Sequence, residues 1–120
     1  GFVAAPAPLL ESPAVTKVLH DCREDSAAFF HQHDVRLRAV FDTQAAQAVL
    51  ERHAGLPAHQ ASMSKLLLSR LGIEDPPDSG DIKAMMFADG KLWARRPLTS
   101  QLVRYALHGV DFLLPLREAL

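Results

Sequence analysis

The chain alternates short β-branched apolar runs with longer segments in which apolar residues recur every three or four positions. Ala14-Val15-Thr16-Lys17-Val18-Leu19-His20 predicts a buried strand, and the polar stretch Asp21–Ser26 opens a helix to about His33 with Phe29 and Phe30 among its buried residues. The rhythm then repeats. Val35–Phe41 predicts a second strand, and Asp42 is placed to cap a helix whose Ala46, Val49, Leu50 and His53 share one face. Gly55 and Pro57 end that helix. A third helix, about Ala61–Leu71, turns Met63, Leu66, Leu67 and Leu71 inward and stops at Gly72, a natural left-handed terminator. Asp75–Gly80 reads as a loop, Asp81–Ala88 as a short helix and Gly90–Pro97 as an irregular segment holding Trp93. Thr99 caps a long final helix with an apolar stripe of Leu102, Val103, Ala106, Leu107, Val110, Leu113 and Leu114. Pro115 falls inside that stripe and predicts a kink or break nearby.

Strand, helix, strand, helix, then further helices indicate an α/β or α+β layer fold. Two strands alone make a marginal sheet with an open apolar edge, so another chain or a further segment is expected to supply more strands. Gly1–Pro8 reads as a tether, and Leu9–Ser12 finishes a short helix that Pro13 ends, so residues 1–13 precede one domain over 14–120. A length of 120 residues suits a single core. No apolar run approaches the roughly 20 residues a bilayer crossing needs. The sole cysteine, Cys22, cannot pair within the chain, which fits a reducing compartment, the cytoplasm or the nucleus. A net charge of −1 gives no global pull on nucleic acid, so any such binding needs a local basic patch. The first residue is glycine rather than methionine, and the chain is expected to be part of a longer protein.

Three separated stretches carry a family resemblance. The first is Lys17-Val18-Leu19-His20-Asp21-Cys22-Arg23-Glu24-Asp25 with Val40-Phe41-Asp42-Thr43-Gln44 after it. The second is Trp93-Ala94-Arg95-Arg96-Pro97-Leu98, and the third is Tyr105-Ala106-Leu107-His108-Gly109-Val110-Asp111-Phe112-Leu113-Leu114-Pro115-Leu116. In this order they resemble the DEDDy-type 3′-5′ exonuclease domains related to ribonuclease D. The His-Asp-Cys-Arg and Phe-Asp-Thr-Gln wording is similar to the Egalitarian-like branch that includes the exonuclease-domain protein of piRNA biogenesis. The resemblance implies a ribonuclease H-like α/β fold whose first three strands, with an Asp-x-Glu pair, lie upstream of Gly1. It also implies a site where four carboxylates hold two divalent ions and a tyrosine orients the attacking water. Carried onto this chain, the second-motif aspartate falls on Asp25 and the tyrosine on Tyr105. The last aspartate would stand at position 109, which here is glycine. On a helix, positions i and i+4 share a face, so only a carboxylate at 109 would project beside Tyr105. Asp111 is rotated about 200° from it and is no substitute.

Each candidate also has a plainer reading. Asp25 taken alone is an acid at a positive helix start, and Tyr105 a packing residue; with the motif they are remnants of a catalytic set. Trp93 with Lys91, Arg95, Arg96 and Arg104 offers an aromatic face for a base among cations suited to phosphates, although Trp93 alone reads as an anchor for its segment. His31 and His33 face different sides of a helix and cannot chelate one ion together, and His53, His59 and His108 lack ligand spacing. His20 reads as a hydrogen-bonded structural residue. Arg23 beside Cys22 would favour a thiolate, but no His/Asn pattern supports a nucleophile. The expectation is a catalytically degenerate exonuclease-like domain that binds single-stranded RNA and scaffolds protein partners, with a homodimer as one arrangement. No cofactor or metal is expected of it, and nothing engages a membrane. Two alternatives stand beside it: an active magnesium- or manganese-dependent 3′-5′ exonuclease with its first motif upstream, and a protein-binding module.

Overall fold

The computed structural model describes residues 3–120; of the tether expected at Gly1–Pro8, Gly1 and Phe2 lie outside them, and Ala7 and Pro8 belong to the first helix instead, with proline tolerated in a first turn. A short helix, α1 (Ala7–Glu11), leads into strand β1 (Lys17–Leu19), helix α2 (Arg23–His33) and strand β2 (Val40–Asp42). Helices α3 (Thr43–His53), α4 (Met63–Leu71), α5 (Ser79–Ala88), a single 3-10 turn at Leu92–Ala94, α6 (Ser100–Asp111) and α7 (Leu113–Ala119) complete the chain. The strands are parallel, pairing Lys17 with Val40, Val18 with Phe41 and Leu19 with Asp42. This β-α-β unit is the α/β layer that the strand–helix rhythm implied.

Both strands are shorter than the apolar runs that announced them. Residues 14–16 and 35–39 are extended or irregular rather than paired, because a ladder forms only where a neighbour supplies hydrogen bonds, and the two strands overlap for three residues. Helix α2 corrects a further expectation: Phe29 is only half-buried and Phe30 is exposed. The Phe30 ring is covered by the Arg36 guanidinium at 5.1 Å and edge-on by His31 at 5.2 Å. Asp34 ends α2 in the left-handed region at φ +53°, its N–H reaching back to Phe30, and Gly72 does the same for α4 at φ +68°.

The core is two clusters. Ala61, Leu66 and Leu67 of the α4 region meet Leu116 of α7, with Met63, Leu71, Ile73, Phe112 and Leu120 around them. Ile82, Leu92 and Leu102 form the second, flanked by Trp93, Leu98 and Tyr105. Helix α7 is the hub, packing on α4, β1, α3 and α6. It exists as a separate helix because of Pro115. The proline ring would clash with the carbonyl four residues back, that of Asp111, and the break falls there, with Phe112 at φ −101°, ψ 2°. In the first turn of the new helix the missing N–H costs nothing, since those groups have no helical partner. The long stripe expected across this region is therefore split. Leu102 and Leu113 are buried, whereas Val103, Leu107, Val110 and Leu114 face solvent. The expected inner face of α3 is likewise uncovered: Val49, Leu50 and His53 are exposed, and its buried side chains are Thr43 and Glu51.

Candidate functional site

Asp42 and its neighbours set the geometry of the β1–α2 corner. The Asp42 carboxylate accepts from Gln44 N–H (2.9 Å) and Ala45 N–H (3.4 Å), capping α3. It also accepts from Asp21 N–H (2.9 Å) and Cys22 N–H (3.0 Å) across the sheet. Burial alone would push this carboxyl up; the four converging N–H groups outweigh it and hold Asp42 below the ordinary carboxylate range. Next to it, the buried Thr43 hydroxyl donates to the Leu19 carbonyl (3.2 Å) and accepts from His20 Nδ1 (2.9 Å), which gives His20 the structural role expected of it. The Cys22 thiol is pushed up, first by burial and then by the Asp42 carboxylate. Arg23 does not favour its thiolate, because the guanidinium is engaged by Asp21 at 2.7 Å.

Asp25 lies in the first turn of α2, exposed to solvent. Tyr105 and Gly109 lie one turn apart on α6 and line a cavity of about 130 Å³ with Ser64, Asp75, Ser79 and His108. Asp25 is not among the residues lining that cavity. Tyr105 is half-buried, packed on the Ile82–Leu92–Leu102 cluster and tilted against Trp93, ring centroids 6.2 Å apart. A Cβ at position 109 would meet no heavy atom within 4 Å, so sterics do not require glycine there. Of the four carboxylates that the resemblance implies for a metal pair, this chain supplies Asp25. Among the described residues no three His, Cys, Asp or Glu side chains converge, and position 109 has no side chain to offer.

The cationic side chains expected to bind phosphates are all exposed. Lys91, Arg95 and Arg96 follow or flank the 3-10 turn, and Arg104 stands on the exposed side of α6. Arg95 pairs with Asp89 at 2.7 Å and Arg104 approaches Asp78 at 3.9 Å, both at exposed positions where such pairs are weak. The Arg96 guanidinium folds back onto the carbonyls of Trp93 (2.9 Å) and Arg95 (2.8 Å). Trp93 itself is half-buried against the second core cluster, its ring shared between the core and Tyr105.

Several polar residues around the cavity escaped the reading of the sequence. Asp75 accepts from Ser64 Oγ (2.7 Å) and from Lys83 Nζ (3.4 Å) through the same oxygen. The Ser64 hydrogen bond, opposed by burial and aided by Lys83, holds Asp75 below the ordinary carboxylate range. Ser79 Oγ and His108 Nε2 are buried without a hydrogen-bond partner among the described residues. Leaving such a group unpaired costs about 1–3 kcal/mol. The sequence held no signal for this set, because its members come from α4, the loop before α5, α5 and α6, with no regular spacing between them. Glu51 was missed as well: buried in α3, it accepts from Gln47 (2.9 Å) and from His59 N–H (3.1 Å) and pairs with the His59 ring at 2.9 Å, fastening the loop after α3.

The fold is a parallel β-α-β layer backed by helices, and the chain belongs to the 3′-5′ exonuclease family, whose model residues 3–120 match. Ribonuclease D of Pseudomonas paraeruginosa is 38% identical over 107 residues, covering 89% of this chain and 25% of the relative. The piRNA biogenesis protein EXD1 of Homo sapiens is 31% identical over 117 residues, covering 93% of this chain and 23% of the relative. The chain thus spans about a quarter of the length of these curated relatives. Among solved structures, RNase D of Trypanosoma brucei superposes with a TM-score of 0.84 at 24% identity, over 99% of this chain and 41% of its own. That match establishes the shared ribonuclease D exonuclease fold.

Proposed function

We propose that this chain is a catalytically degenerate 3′-5′ exonuclease-like domain that binds single-stranded RNA and scaffolds protein partners. Gly109 is the observation that carries the reading. It stands where the family resemblance places the last metal-binding aspartate, with open space around its α-carbon. Asp25 and Tyr105 are remnants of the ancestral set. A lone carboxylate on α2 holds no pair of divalent ions, and a tyrosine without a metal-bound water has nothing to orient. Binding falls instead to Lys91, Arg95, Arg96 and Arg104, with Trp93 presenting what remains of its ring face to a base. Support for scaffolding comes from Val103, Leu107, Val110 and Leu114, exposed along one side of α6 and into α7. Such a stripe suits a protein surface better than water, and a second copy of the chain is one partner for it.

The test pairs digestion with binding. Single-stranded RNA labelled at its 5′ end and incubated with magnesium or manganese is expected to stay full length while being retained on a filter at low salt. Arg95→Glu/Arg96→Glu is expected to weaken retention at least tenfold and to flatten its salt dependence by roughly 0.7 per lost phosphate contact on a log–log plot. A ladder of 3′-shortened products would overturn degeneracy. Absence of retention by either protein would leave only the protein-binding role.

A further inference from the structure

Phe87 is 96% exposed, more than any other aromatic side chain among the described residues. It stands in the last turn of α5, whose other side sends Ile82 into the second core cluster. Five helical residues turn the chain by about 140° from one to the other, so the Phe87 ring adds nothing to the core. Other rings are engaged within the fold. Arg36 covers Phe30 at 5.1 Å, Arg117 covers Phe41 at 5.5 Å, and Trp93 and Tyr105 rest on the core and on each other. Phe87 keeps both faces of its ring in water.

Charge decides what such a ring fits. Lys83 lies one helical turn before Phe87 on the same line of α5, and Lys91 follows in the turn that leads to Leu92. The Lys83–Asp75 pair, 3.4 Å apart and exposed on the lysine side, is weak enough for a phosphate to compete with it. Asp89, the carboxylate between Phe87 and Lys91, is taken up by Arg95 at 2.7 Å. The buried centre of a protein–protein contact is depleted in lysine. Met85 and Met86 are both more than half covered and do not extend the ring into a broad apolar patch. A nucleotide strand matches the set, because each unit carries a flat base for the ring and a phosphate for an ammonium.

We propose that Phe87 is a stacking platform for one base of a single-stranded RNA, with Lys83 and Lys91 on the phosphates to either side. The proposal rests on the RNA-binding reading above and adds a contact by a residue that does not line the cavity of Tyr105 and Gly109. Phe87 supplies the open aromatic face that half-buried Trp93 offers only in part. Stacking engages the π-face of a base and not its hydrogen-bonding edge, so the contact tolerates any sequence but requires a base to be present.

Fluorescence anisotropy of the full chain with 5′-labelled oligoadenylate, and with an abasic strand of the same length and charge, tests it. Phe87→Ala is expected to weaken oligoadenylate binding at least about fivefold and to leave binding of the abasic strand unchanged. Phe87→Trp is expected to keep the affinity, whereas Phe87→Leu, apolar but without a ring, loses it as Phe87→Ala does. Urea midpoints of the three variants are expected to match the parent, since so exposed a side chain carries no packing; a lowered midpoint would assign Phe87 to the fold and overturn the proposal. Unchanged oligoadenylate binding by Phe87→Ala, full affinity in Phe87→Leu, or an equal loss on the abasic strand overturns it as well. If Arg95→Glu/Arg96→Glu weakens binding in that case, the RNA-binding reading survives without Phe87. No binding of oligoadenylate by the parent chain overturns both.

Discussion

Four backbone N–H groups converge on the Asp42 carboxylate, two from its own helix and two from Asp21 and Cys22 across the sheet. Asp42→Ala removes a helix cap and two charge-assisted bonds, and is expected to cost about 3 kcal/mol in a urea unfolding experiment. The same carboxyl, with Glu51 and Asp75, is held below its ordinary value. A carboxyl lowered in the folded state binds fewer protons there than in the unfolded chain. Its stabilisation is therefore complete above the unfolded values of about 3.9 to 4.3, and is lost as pH falls through the lower folded values. Urea midpoints are expected to be flat from pH 7 to about 5 with respect to these groups and to drop below about 4, with a shallower drop in Asp42→Asn. Two backbone positions predict opposite exchanges with the same sign. Ala39 sits at φ +50°, where a Cβ is strained, whereas Gly109 is helical with open space around it. Ala39→Gly and Gly109→Ala are each expected to stabilise the fold by about 0.5–1 kcal/mol in urea unfolding; destabilisation by either would mean that its backbone is not strained at 39 or not freely helical at 109.

At the scale of elements, local chemistry was legible and tertiary cover was not. Caps are written in single residues: the Asp42 and Thr99 side chains each begin a helix, and Gly72 ends one through its left-handed backbone, while the Ser62 cap was missed. Pro115 announced its break, although the break falls three residues ahead of it because the clash is with Asp111. Strand length was not legible, since pairing depends on a neighbour rather than on the run itself. Apolar periodicity located α3 and α6 correctly but assigned their buried sides wrongly. Val49, Leu50, Val103, Leu107, Val110 and Leu114 show the pattern of a packed face and yet meet solvent here. At the site, the helical spacing that joins Tyr105 to Gly109 was readable, while the Ser64–Asp75–Ser79–His108 set was not. Its residues are brought together only by the packing of α4, α5 and α6. Trp93 packs on the second core cluster, the anchoring role that the residue taken alone suggested, and its contact with Tyr105 was not foreseen.

The uncovered faces add up across the whole molecule. The accessible surface is 8285 Å², against about 6,400 Å² for a compact monomer of this mass. The radius of gyration is 15.8 Å, against about 13.6 Å for a compact domain of this length. The chain is a slab of 46 × 37 × 22 Å. The surplus of about 1,900 Å² exceeds the roughly 800 Å² each partner gives to a standard interface. Sedimentation velocity is accordingly expected to show self-association of the isolated chain at tens of micromolar, relieved by Val110→Lys with Leu114→Lys. A monomer at every concentration would argue that the α6 stripe recruits no second copy.

The proposed degeneracy holds that, with glycine at position 109, the chain binds no pair of divalent ions. Manganese titration, read by the electron paramagnetic signal of free Mn²⁺ and by paramagnetic broadening of amide resonances, tests it most directly. Free manganese is expected to track the amount added, and the Tyr105 and Gly109 amides to stay sharp. A saturable pair of ions that broadens those two amides first would contradict it.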